Sequence, residues 1–162
     1  MERFRFLLVQ AFRPPDHAAG APYRADASKE SRLMNYQATA PFLDGVAWDL
    51  DPGPPALNDY GGVETREEFA LIGARRLRIV RQACESGQYN AIVLLGGGDP
   101  GFLEAREIGH AHRVPVTACA NAQMHVATML GSRFSVVDVA ELHNMRMHDL
   151  VVQYRFPDRC AS

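Results

Sequence analysis

The chain has 162 residues, of which 47% are hydrophobic and 22% charged, with a formal charge of -2. That length suffices for one ordinary domain with a packed core. The near-neutral balance excludes the basic footprint of a nucleic-acid binder or of a protein held to an anionic membrane. No apolar stretch approaches the roughly 18 residues of a membrane span, and Met1-Glu2-Arg3-Phe4-Arg5 runs straight into a strand-like segment without a secretory signal pattern. The cysteines Cys84, Cys119 and Cys160 are odd in number and widely spaced, with neither a CxxC pair nor a metal-ligand spacing, so a cytoplasmic, reducing setting is expected.

Residues 4–12 read as the first strand, because Phe6, Leu7, Leu8 and Val9 form the near-continuous apolar run of a strand covered on both faces. Pro14-Pro15 ends it. Residues 16–43 form a long mixed connection with one short helix expected near 29–36, and connections of that length are often functional. Residues 46–50 are a second strand, closed by Asp51-Pro52-Gly53-Pro54-Pro55.

The strongest helical pattern covers 65–86. Thr65 with Glu68 makes a capping box, and Phe69, Ile72, Leu77, Val80 and Cys84 recur at helical spacing. Gly87 supplies the stop. Cys84 falls on the apolar side and reads as core. Strand and helix then alternate: strand 90–95, helix 101–110 with its stripe of Phe102, Ala105 and Ile108, strand 114–119, helix 121–130 ended by Gly131, strand 134–139, helix 142–154. This pitch predicts an α/β fold with a parallel sheet flanked by helices. A doubly wound fold usually returns to its sheet after such a helix, so the chain reads as part of a longer protein.

The junction at 95–101 carries the chemistry. An apolar, β-branched strand stops at Gly96-Gly97-Gly98 and continues as Asp99-Pro100-Gly101. Open α/β proteins bind ligands outside the carboxyl ends of their strands, and glycines let backbone N–H groups approach an anion closely. Asp99 before Pro100 reads as the N-cap of the following helix, with a catalytic carboxylate as the other reading. Cys119 ends a strand and can either pack or face the cleft. Asn121 can cap the next helix or bind a carboxylate. His125 sits inside that helix near Val126, Met129 and Leu130, as a packed histidine. Arg13 can pair with a carboxylate or lie solvated.

Several tempting patterns fail. His110, His112, His143 and His148 form neither HxxxH nor HExxH, so no metal is expected. Gly96, Gly98 and Gly101 match GxGxxG by letter, but the next strand ends at Ala118-Cys119-Ala120-Asn121 without the acid that would hold a ribose. Nothing matches a P-loop.

Tyr89-Asn90-Ala91-Ile92-Val93, Gly98-Asp99-Pro100-Gly101 and Glu104-Ala105-Arg106-Glu107 together resemble the first-domain active-site loop of hydantoin racemases, within the wider aspartate/glutamate racemase superfamily. Val114-Pro115-Val116, Ala122-Gln123-Met124-His125 and Leu130-Gly131-Ser132-Arg133-Phe134-Ser135-Val136-Val137 resemble its next stretch in order and spacing. Tyr154 with Asp158-Arg159-Cys160-Ala161-Ser162 resembles an internal segment of the family.

The resemblance implies two similar α/β domains with the substrate in the cleft between them, here residues 1–118 and the start of a second domain at 119–162. It also implies a homo-oligomer. Two cysteines, one per domain, would flank the α-carbon of a small carboxylate or hydantoin-like substrate; one thiolate removes the proton and the opposite thiol returns one, without metal or organic cofactor. The first of these cysteines would fall at Gly96 and the second beyond residue 162. The substrate would be held by Gln10, Gly96, Gly97, Gly98, Asp99 and Asn121. The family's Asn/Thr/Ser-rich loop after the first strand is replaced by Gln10-Ala11-Phe12-Arg13-Pro14. A glycine at position 96 also suits a single-cysteine lyase resembling arylmalonate decarboxylase, or a non-catalytic protein that binds a small acid.

Overall fold

The computed structural model describes residues 4–15, 27–33, 35–59, 62–138 and 141–161, with the backbone alone for 141 and 142. Residues 16–26 and 34 of the expected connection 16–43, and residue 139 of the expected strand 134–139, lie outside the described residues. Strands β1 (Arg5–Val9), β2 (Ala47–Asp51), β3 (Ala91–Leu94) and β4 (Val116–Ala118) form one parallel sheet in the order β2-β1-β3-β4.

Alternation along the strands feeds two cores. Leu7, Val9, Ile92 and Leu94 face one side, against Val80, Ala83 and Cys84 of α3 (Arg66–Ser86) and Phe102 and Ala105 of α4 (Phe102–His112). Phe6, Leu8, Trp48, Leu50 and Val93 face the other, packed with Leu33, Tyr36 and Leu43 around α1 (Lys29–Arg32) and α2 (Tyr36–Leu43). The long connection thus holds two short helices where one was expected. Val9, Ile72, Val80, Ile92 and Leu94 are wholly inaccessible. At about 1.5–3 kcal/mol for each such side chain, the α3-facing layer dominates the sheet's stability.

Helix α3 forms where its sequence requires. Glu68 N donates to Thr65 Oγ1 at 3.1 Å and Thr65 N to Glu68 Oε2 at 2.9 Å, completing the capping box. The backbone amides of Thr65 and Glu64 hold the Glu68 carboxyl down to about 2, against a small opposing effect of burial. Gly87 (φ 64°) ends the helix in the left-handed conformation. Gly73 and Gly101 (φ 75°) then let α3 meet the start of α4 backbone to backbone: a Cβ on Gly73 would lie 2.9 Å from Gly101 N.

Three expectations are corrected. Cys119 is not at a strand end: β4 stops at Ala118 and α5 (Cys119–Leu130) begins at once. Asp99 does not cap α4: Gly101 occupies the N-cap position without a side-chain bond. Among the described residues, 134–138 makes no strand of the sheet; Phe134 alone forms a parallel bridge, to Cys160. Its backbone bonds go to Arg159 O (2.9 Å) and from Ala161 N (2.7 Å), so the segment pairs with the chain after α6 (Glu141–Gln153) instead. Arg159 also donates to the carbonyls of Thr128 and Gly131 that α5 leaves open at its C-terminus. Ala120, Met124, Met147, Leu150 and Val151 make a third core between α5 and α6.

Candidate functional site

The strand order reverses at β1 and β3. From β1 the chain moves outward to β2, then crosses back to β3 on the other side, so the crevice at the carboxyl ends of β1 and β3 is the topological switch point. A cavity of about 330 Å³ opens there. Ala11 and Phe12, just past β1, form one wall and Gly96, Gly97 and Gly98, just past β3, the next. His143, Arg146 and Met147 close it from α6.

Two of the three glycines are there for want of room. Gly96 has φ +106°, and a Cβ on it would stand 2.9 Å from Ala11 Cβ. Gly98 lies against the Phe69 ring, which a Cβ would penetrate. Asp99 N donates to Gly96 O at 3.5 Å, which leaves Gly97 and Gly98 at the centre of a turn. Among the described residues neither of their N–H groups finds a protein acceptor. Gly97 is exposed and a Cβ there would meet nothing within 4 Å.

Directly beneath lies a buried polar knot. Arg76 is 0% exposed and donates through Nη2 to Val9 O (2.8 Å) and Leu95 O (3.0 Å), and through Nη1 to Pro100 O (3.3 Å). It pins the ends of β1 and β3 across the crevice. Burial lowers the guanidinium to about 10, with Asp99, Cys119 and Asp51 opposing, so it stays charged at neutral pH. Asp99 is 2% exposed and accepts from Ala120 N (2.9 Å), Asn121 N (2.8 Å) and Tyr154 Oη (2.9 Å). Asp99 therefore satisfies early amides of α5 from a loop 21 and 22 residues away in sequence, as a capping carboxylate favoured by the helix dipole. Burial raises the Asp99 carboxyl above its ordinary value, with those amides, Tyr154 and Arg76 opposing. Burial, then Asp99, raises the Tyr154 phenol.

Cys119 sits beside this knot. Burial raises its thiol, and the Gly96 backbone amide pulls the other way. Cys119 thus stands near the glycine loop as the first residue of α5. Cys84 is core, as its spacing predicts. Gln10 instead ties its side-chain amide to Arg32 O at 2.9 Å, behind the cavity wall. Asn121 contributes its backbone N–H to Asp99. Arg13 is exposed, and its backbone pairs with 54–56. His125 is exposed and meets the Phe156 ring edge-on at 4.9 Å. His110, His112 and His148 are exposed, and among the described residues no group of His, Cys, Asp and Glu comes together to hold a metal. None of the described helices is long and apolar enough to cross a membrane.

The α6 wall was not foreseen. His143 places Nδ1 3.3 Å from Asp138 Oδ1 and Nε2 3.2 Å from Val63 O. Both neighbours are oxygen atoms, one a carboxylate and one a main-chain carbonyl. The Arg146 guanidinium lies over the Phe69 ring, 5.3 Å from its centroid, and its Nε is buried without an acceptor. A second cavity of about 480 Å³, between α3, α4 and α6, shares Phe69, Pro100 and Arg146 with the first. Of the missed residues only Arg76 left a trace in the sequence: it stands four residues from both Ile72 and Val80, in the apolar stripe.

No family model matches the chain. The hydantoin racemase of Pseudomonas sp. (strain NS671) is 37% identical over 117 residues, 72% of this chain and 43% of that protein. The allantoin racemase from Klebsiella pneumoniae superposes with a TM-score of 0.64 at 24% identity, over 98% of this chain and 56% of that one. The allantoin racemase from Pseudomonas fluorescens gives 0.63 at 21% identity, over 98% and 59%. The four-stranded parallel sheet with its helices is therefore an α/β fold of the racemase type. With the sequence likeness added, the chain belongs to the aspartate/glutamate/hydantoin racemase superfamily. It spans about half the length of the relatives it matches.

Proposed function

We propose that the crevice at β1 and β3 is one wall of a racemase-type active site, where a proton is moved at the α-carbon of a small carboxylate or hydantoin-like compound without a metal or organic cofactor. The observation that carries this reading is the pair of uncommitted amides, Gly97 and Gly98, lining a cavity at the switch point. When a base takes the α-proton, the electron pair moves onto the adjacent carbonyl oxygen. Backbone N–H groups held in place for that oxygen stabilise it at no cost of reorganisation. An acid on the opposite face then returns a proton to carbon.

Residues 1–118 on this reading are the first domain of the cleft and 119–162 the beginning of the second. The thiol of this wall is Cys119, at the start of α5 beside the buried Arg76 and Asp99. Because burial raises it, it suits the proton-donating role. The test is exchange in heavy water. The protein should wash deuterium into the α-position of a hydantoin, amino acid or aryl carboxylate, and Cys119→Ser should slow it by about a hundredfold or more. No wash-in across that panel sinks the reading.

One observation favours a second reading. Gly96, at φ +106° against Ala11, leaves no space for a thiol in the loop itself. A site with a single acid can still protonate an enediolate formed when a disubstituted malonate loses carbon dioxide. Carbon dioxide release without deuterium wash-in into product-like acids would establish that lyase in place of the racemase.

A further inference from the structure

We propose that Arg146 is the acid-recognition residue of this cleft, its guanidinium binding the ligand's carboxylate so that the pocket selects a free carboxylic acid over a neutral ring. The inference rests on the reading of the cleft as a ligand site and narrows what it takes.

Arg146 is unusual among the cations of this region in having no ion pair or hydrogen bond among the described residues. Arg76 donates from both Nη atoms to carbonyls, with its Nε buried and unpartnered, and Arg66, in the adjoining cavity, pairs with Asp149 at 2.8 Å. Arg146 is only partly exposed, and its Nε is sealed from water without an acceptor. A partly desolvated guanidinium without an ion pair is costly to keep, and a carboxylate arriving at its two Nη groups in bidentate geometry offsets that cost. The Phe69 face beneath it fixes the plane of the fork. Phe69 in turn rests on Gly98, so the guanidinium and the free amides of the turn belong to one rigid stack along the cavity.

Two acids nearby are engaged elsewhere. Asp138 faces His143, and Asp99 is committed to α5 and Tyr154. A carboxylate on Arg146 would leave the adjacent carbonyl or α-carbon of a small ligand to the Gly97–Gly98 turn. Phe12 and Phe69 give the same cavity an aromatic lining suited to an aryl substituent.

The test uses calorimetry on the full chain with two probes that share a side chain. N-carbamoylphenylalanine carries a carboxylate; 5-benzylhydantoin is its ring-closed, neutral counterpart. The acid should bind more tightly than the hydantoin. Arg146→Gln should weaken the acid by about ten- to a hundredfold and leave the hydantoin unchanged, while Arg146→Lys, which keeps the charge without the fork, falls between. Gly97→Leu, whose side chain enters the open cavity, should abolish both. Acid binding that Arg146→Gln leaves intact while Gly97→Leu removes it overturns the anchor and spares the cleft. Tighter binding of the hydantoin overturns the selectivity. Failure of both probes to bind the unaltered protein overturns the anchor and the cleft together.

Discussion

Two arginines stand on either side of the glycine turn, and they are treated in opposite ways. Arg76, below it, is fully buried and spends its Nη donors on three main-chain carbonyls. Arg146, beside it, is partly buried and bonds to nothing among the described residues except the face of a phenyl ring. The same contrast separates Asp99, whose carboxylate accepts three bonds, from Gly97 and Gly98, whose amides find no acceptor among the described residues. Saturated polar groups hold a fold in one arrangement, and unsaturated ones wait for a partner from outside. The contrast sorts scaffold from site within a few residues of sequence.

That sorting can be broken by mutation. The largest effect belongs to Arg76→Met, which orphans three carbonyls and leaves Asp99 without its nearest cation; chemical denaturation should show a loss of about 3–5 kcal/mol. Asp99→Asn should cost about 1–3 kcal/mol by turning an amide donor toward the N–H groups of Ala120 and Asn121. Its pH dependence has a definite sign. Burial lifts the folded carboxyl above its ordinary 3.8, so the folded state holds that proton more tightly than the unfolded chain. The group's stabilising share is complete below 3.8 and fades as pH rises through the folded value, so the gap between the wild type and Asp99→Asn should narrow over that rise.

Gly96→Cys tests the wall itself. A side chain at φ +106° beside Ala11 should cost about 1–3 kcal/mol, and Ala11→Gly should recover the steric part in a melting experiment. The smallest effect is expected for Arg146→Gln, within about 1 kcal/mol, because only a ring contact is lost. A large destabilisation there would move Arg146 from site to scaffold.

The sequence announced those parts that are governed by local rules. The apolar runs of β1 and β3, the capping box and glycine stop of α3, and the glycine loop after β3 were all legible, because propensity, capping and patterning act within one or two turns of chain. Position 134–139 misled: Val136 and Val137 look strand-like, but a strand needs a partner, and Phe134 finds only Cys160 while Val137 stays 94% exposed. Asp99 misled in the same way. Its Asp-Pro pattern is that of a local cap, yet Gly101 takes the turn into α4 and the carboxylate reaches α5 instead. Arg146 could not be read at all, since its meaning depends on which helix face meets Phe69, and that is decided by packing between α6 and α3.

The lone lysine has a practical use. Among 17 basic residues, Lys29 is the only one with a primary amine on its side chain. It donates to Trp48 O while its ammonium stands 4.2 Å from the Trp48 ring centroid, on the sheet face away from α3. An amine-directed label therefore attaches, within the folded body, at a single known address next to the sole indole. Fluorescence from that pair would report whether the helical connection ahead of β2 stays docked when a ligand fills the far end of the sheet.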